Sequence, residues 1–128
     1  MPFVIDTSVA IRLRDNDLEM ARKVGALNGA LYLSVITLVE LEGGVYRDPR
    51  ETPTRRARVD MLCNAISVIP FDDGDARTYG AIVASAGYAR RKILDRMIAA
   101  QTIVRRATLV TLNPADFSDV PNLQLLAL

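Results

Sequence analysis

Histidine and tryptophan are absent from this 128-residue chain, and cysteine occurs once. Without histidine, imidazole acid–base catalysis and histidine-containing triads are excluded. The single cysteine, Cys63, permits no internal disulfide and argues against a protein-only zinc site. It fits a reducing, cytoplasmic setting, and its place in a helical segment suits a small core residue. No apolar run approaches the ~20 residues needed to cross a membrane. The N-terminal residues lack the basic-then-apolar order of a secretory signal. Any chemistry here therefore rests on carboxylates, hydroxyls and basic side chains.

Half of the residues are hydrophobic but only 5% are aromatic, so the core must be built from Leu, Ile, Val and Ala. A chain of this length suits one domain, 1–128, and buries roughly two-thirds of its unfolded surface without staples. Net charge is only +1, which argues neither for nor against a nucleic-acid partner. The distribution says more. Fourteen of the sixteen basic residues are arginine. They concentrate in 47–58, in Arg90-Arg91-Lys92 with Arg96, and at Arg105-Arg106. Arginine presents a planar fork of donors that matches phosphate oxygens. The plainer alternative is a set of solvated helix faces.

Short apolar runs alternate with helical patterns. Strands are predicted at 3–5, 31–33, 67–69 and 108–111, with a terminal strand or edge at 123–126. Helices are predicted over 8–14, 18–27, 35–45, 54–65, 76–86 and 93–106. Asp15-Asn16-Asp17 marks a turn and cap, Ser34 a cap, Asp72 and Asp73 further cap candidates. Asn28-Gly29 and Gly87 read as helix stops, and Gly43-Gly44 as a weak last turn. Asp48-Pro49 and Thr52-Pro53 read as breaks. This alternation implies an α/β fold, with helices covering both faces of a mostly parallel sheet of four or five strands. No repeat, linker or low-complexity segment divides it.

Four acids stand next to apolar boundaries. Asp6 ends the first strand, and Glu40 lies in the apolar segment 34–41. Asp95 opens the helix 93–106, and Asp116 follows the fourth strand. Singly, each has a plain role as a cap, a solvent-facing residue or a turn residue. Jointly they point elsewhere. Strands one and four are expected to be neighbours where the winding reverses, which is where open α/β sheets bind ligands. Like charges ~4 Å apart repel by about 1 kcal/mol in water and about 4 kcal/mol at an effective dielectric of 20. A cluster of four needs a cation or a proton. Oxygen ligands without His or Cys favour a hard ion, Mg²⁺ or Mn²⁺. Such a centre can activate water and stabilise charge on a phosphodiester. Thr7, Ser8, Thr111 and Asn113 are placed to hold carboxylates or waters. Arg90, Arg91, Lys92 and Arg96 border the Asp95 segment as candidate phosphate contacts; the arginines of 47–58 are an alternative.

The segments Val4-Ile5-Asp6-Thr7-Ser8, 34–41, Asp95-Arg96-Met97-Ile98-Ala99-Ala100 and Thr111-Leu112-Asn113-Pro114-Ala115-Asp116-Phe117 resemble, in order and spacing, the successive motifs of PIN-domain ribonucleases. The likeness is strongest to VapC-type toxins of toxin–antitoxin pairs. The resemblance implies a three-layer α/β/α fold and Mg²⁺- or Mn²⁺-dependent endonucleolytic cleavage of RNA that inhibits translation. It further implies a homodimer and a VapB-type antitoxin whose tail covers the acidic site. Asp6, Glu40, Asp95 and Asp116 match the family's acidic quartet; Thr7 and Asn113 match its frequent supporting positions. Glu42 rivals Glu40, although i and i+2 point to different helix faces. Asp119 rivals Asp116. The RNA, transfer or ribosomal, and the number of metal ions stay open.

Two other enzyme classes place an Asp after strand one. Haloacid-dehalogenase-type phosphatases require a second Asp two residues on, where this chain has Ser8. Response-regulator receivers require an acidic pair near strand one and a phospho-accepting Asp after a middle strand; here strand three runs into Ile69-Pro70-Phe71. A non-cutting PIN-like module that binds RNA or protein is the remaining alternative.

Overall fold

The computed structural model describes residues 1–128. Phe3–Ile5 (β1) lies at the centre of a five-stranded sheet. Leu31–Ser34 (β2) and Ser67–Ile69 (β3) extend it to one side. Thr108–Thr111 (β4) and Gln124–Ala127 (β5) extend it to the other, giving the order β3-β2-β1-β4-β5. Every pairing is parallel. The winding reverses between β1 and β4, as the sequence implied. Helices occupy the crossovers: Thr7–Arg14 (α1) and Leu18–Gly25 (α2), then Val35–Arg47 (α3) and Thr52–Ala65 (α4). Asp73–Ala86 (α5) and Ile93–Val104 (α6) follow, joined through a 3-10 turn at Arg90–Lys92.

Successive strand residues face opposite sides of a sheet, and both sides are apolar here. Val4 and Leu109 join Ile82, Ile98 and Phe117 in one core. Ile5 and Val110 join Val9, Val24, Leu41 and Val59 in the other. Helices therefore cover both faces, and the molecule has three layers. No helix is long and apolar enough to cross a membrane.

Several boundaries differ from the sequence reading, each for a local reason. α4 begins at Thr52 rather than after Pro53, because proline in a first turn lacks only an N–H that has no helical partner anyway. α3 runs through Gly43-Gly44 to Arg47. Gly44 is pressed by a neighbouring arginine: a Cβ there would meet Arg14 Nη1 at 3.0 Å. α5 starts at Asp73, because Asp72 and Asp75 form a reciprocal capping box in front of it. α6 stops at Val104, and Arg106 turns the chain out with φ 52°.

The α5–α6 layer carries one buried ion pair. Asp75 is fully buried, and Arg105 Nη1 donates to it at 2.8 Å. Removing one partner of such a pair strands a charge. Arg105→Met should lower the unfolding free energy by roughly 3 kcal/mol, the low end of what stranding a buried charge costs. A urea midpoint equal to wild type would show that the pair contributes nothing.

Candidate active site

Asp6 follows β1 directly. Its amide still bonds the Val110 carbonyl of β4 at 2.9 Å, while its carbonyl starts α1. Its side chain is the α1 N-cap. The carboxylate is 4% exposed. Oδ1 accepts from the Thr7 amide at 2.8 Å. Oδ2 accepts from the Ser8 hydroxyl at 3.0 Å and the Thr111 hydroxyl at 2.8 Å. Burial pushes its pKa above the ordinary value, and the charge of Asp116 adds to that; the three hydrogen bonds pull the other way.

Glu40 lies within α3, beyond its first turn. Its Oε1 accepts from Thr7 Oγ1 at 2.8 Å. Thr7 Oγ1 also lies 2.8 Å from Thr37 Oγ1. Thr7 has one hydroxyl proton and spends it on Glu40, so Thr37 donates to Thr7. Thr37 was missed in the sequence; its signal was the i,i+3 spacing to Glu40 on one helix face. The Glu40 pKa is raised, chiefly by burial and further by the charge of Asp6.

Asp95 stands in the first turn of α6. Burial, then the charges of Asp6, Asp116 and Glu40, push its pKa up to about 6; Lys92 opposes them. The four acids thus share one electrostatic field. In the structure no three acidic side chains stand within common ligating reach of a single ion. A cation would have to draw them inward.

Asp116 is exposed, on the 3-10 turn Pro114–Phe117. It shares a cleft of about 390 Å³ with Asp95, Arg91 and Lys92. Asp119, its rival, is already committed: it pairs with Lys92 at 3.0 Å and Arg96 at 2.9 Å. Those partners hold its pKa below the usual carboxylate range. Glu42, the rival of Glu40, is likewise taken up by Arg56, with which it hydrogen-bonds at 2.8 Å.

The supporting residues divide. Thr7, Ser8 and Thr111 place their hydroxyls on carboxylates, and Ser8 Oγ also accepts the Leu112 amide at 3.2 Å. Asn113 contributes its main-chain amide, which bonds Thr111 Oγ1 at 3.0 Å. Arg90 and Arg91 are exposed, and Lys92 is half-buried. Arg96 is a correction. It is 2% exposed and donates to the Gly87 carbonyl at 2.6 Å as well as to Asp119. One step from Asp95 along a helix, it points into the protein and cannot reach a phosphate.

This fold and these four motifs define a known class. A family model described as PIN domain matches residues 3–123, and the chain belongs to that family. Ribonuclease VapC1 of Rickettsia felis is 30% identical over 131 aligned positions, covering 98% of this chain and 96% of the relative. Ribonuclease VapC of Rickettsia bellii is 27% identical over 131 positions, with the same coverage. Among solved structures, DNA-bound VapBC from Salmonella typhimurium superposes with a TM-score of 0.87 at 26% identity, covering 99% of this chain and 98% of that one. VapBC2 from R. felis, bound to a promoter DNA fragment, gives a TM-score of 0.87 at 24% identity over 100% of this chain and 99% of that one, a likeness of fold.

The raised Asp95 pKa has a stability consequence in metal-free solution. Its folded value lies above its unfolded one, so the folded state binds the extra proton. Its contribution is fully present below the ordinary value of 3.8 and is lost as pH rises through about 6. In EDTA the wild-type melting temperature should fall across that window relative to Asp95→Asn. A difference independent of pH would show that the site does not hold the proton. For the fourth acid, Asp119→Ala should strand Arg96 and cost about 1–3 kcal/mol of stability, whereas Asp116→Ala should leave the urea midpoint unchanged.

Proposed function

We propose that this protein is a metal-dependent endoribonuclease of the VapC type. It acts as a toxin that cuts RNA and blocks translation, and a cognate VapB-type antitoxin restrains it. Family membership and the ribonuclease relatives support RNA cleavage. The observation that carries the site assignment is the mutual field of Asp6, Glu40, Asp95 and Asp116. The charges of Asp6, Asp116 and Glu40 all push the Asp95 pKa up, with Lys92 opposing them; Asp6 in turn raises Glu40, and Asp116 raises Asp6.

The donor set fits Mg²⁺ or Mn²⁺: carboxylate oxygens with hydroxyls behind them and no softer ligand. When bound, such an ion supplies charge stabilisation at the phosphodiester and an acidified water. The chain's own residues do the rest. Ser8, Thr111 and the Thr7 amide fix Asp6 in one orientation. The Thr37–Thr7 relay fixes Glu40. Asp95 and Asp116 line one cleft together with Arg91 and Lys92. Those cations are positioned to hold a phosphate over the acids. With no histidine, no imidazole competes for the role of base.

The VapBC assemblies among the structural neighbours support an antitoxin partner. A homodimer and a cytoplasmic location complete the proposal.

The test is cleavage of total RNA with Mg²⁺, with Mn²⁺ and with EDTA. Asp6→Asn and Asp95→Asn should each cut about a hundredfold to a thousandfold more slowly, equivalent to the several kcal/mol a catalytic metal supplies. Equal cutting by all three proteins would remove the acids from catalysis. RNA binding without cutting by wild type would favour a non-catalytic module. Separately, Arg90→Glu with Arg91→Glu should flatten the salt dependence of RNA binding; an unchanged slope would take these two residues out of the footprint.

A further inference from the structure

A second concave surface adjoins the acids. A cavity of about 510 Å³ opens between α1, α3 and α4. Glu40 and Thr7 form one wall of it, so it continues directly from the acidic site. Its other polar lining is Arg14, Arg47 and Arg55.

Arg14 is the unusual member. It is 7% exposed, which is rare for a charged side chain. Nε and Nη2 donate to Asp15 at 3.0 and 3.3 Å. Nη1 makes no hydrogen bond, and it lies against Gly44 on the cavity lining. Arg14 Nη1 therefore keeps a donor free on the wall of an open cavity. Arg55 gives Nη1 to the Gly44 carbonyl at 2.9 Å, which leaves its other donors available. Neither Arg47 nor Arg55 pairs with any carboxylate. Gly43 also lines the cavity and faces open space: a Cβ there would meet nothing within 4 Å. With Arg14 paired to Asp15, Arg47 and Arg55 still outnumber the one lining carboxylate, Glu40, and leave net positive charge in a concave site, the arrangement that suits a phosphate.

We propose that this arginine-lined cavity is a phosphate subsite for the RNA strand, holding a backbone phosphate to one side of the bond that is cut. The proposal rests on the RNA-cleaving reading and deepens it. The strand enters over Arg91 and Lys92 in the cleft beside Asp95, crosses the acids, and is held again beyond Glu40. Each cleft has its own cations and none is shared. Holding two phosphates that flank the reacting one fixes the strand's direction over the acids, which a single contact cannot do.

The experiment is fluorescence anisotropy of the full chain with a short fluorescein-labelled oligouridylate, in EDTA, over a KCl series. Arg47→Gln should reduce the slope of log affinity against log salt by about 0.7, the value for one phosphate contact on a single strand. Gly43→Asp puts a carboxylate on the cavity lining and should weaken binding several-fold, while Gly43→Ala should bind as wild type does. An unchanged slope in Arg47→Gln, together with equal binding by Gly43→Asp and Gly43→Ala, would overturn the subsite and leave the RNA-cleaving reading intact. Failure of wild type to bind the oligonucleotide at any salt would overturn both. Intact RNA slopes in the variants with lost affinity for the antitoxin would assign the cavity to the protein partner and overturn the proposal.

Discussion

The buried carboxylate of Asp6 is the point on which the molecule turns. It caps α1, it lies where β1 ends, and it accepts from the Thr111 hydroxyl at the end of β4. Burying an ionised carboxylate is costly unless its lone pairs are filled. Three donors fill them here, and two of those, Ser8 and Thr111, also tie α1 to the tip of β4. The same hydrogen bonds that make Asp6 tolerable inside the protein aim it at the other acids. Folding and site geometry are therefore one requirement at this residue.

The remaining acids are held less firmly, and in order. Glu40 has one hydroxyl on it, backed by Thr37; Asp95 has burial without a donor, and Asp116 is at the surface. At Asp95 their repulsion outweighs the attraction of Lys92. Asp119 shows the opposite solution. With Lys92 and Arg96 beside it, it is a neutralised structural acid three residues from the exposed Asp116.

Much of this was legible in the order of residues. The parallel sheet followed from short apolar runs alternating with helical patterns, and the adjacency of β1 and β4 from the rule about winding. The acids stood out because each interrupts apolar sequence. What was not legible depended on rotation and reach. Arg96 and Arg91 read alike as part of a basic run, yet one points into the protein and the other out, because helical phase separates them. Pro53 read as a break although it begins a helix. Nothing in the sequence set Arg14 apart; its burial depends on α3 passing close by at Gly44, a contact between segments far apart in sequence.

The Asp6–Thr111 hydrogen bond spans 105 residues. Loops that long close late, because their entropy is lost before the contact is gained. During synthesis, β1 emerges early and waits with one flank open until β4 arrives. Until then Asp6 lacks its Thr111 donor, and neither Asp95 nor Asp116 can be brought beside it. A chain still being made therefore holds Asp6 without that donor, and the four acids come together only once β4 has paired beside β1.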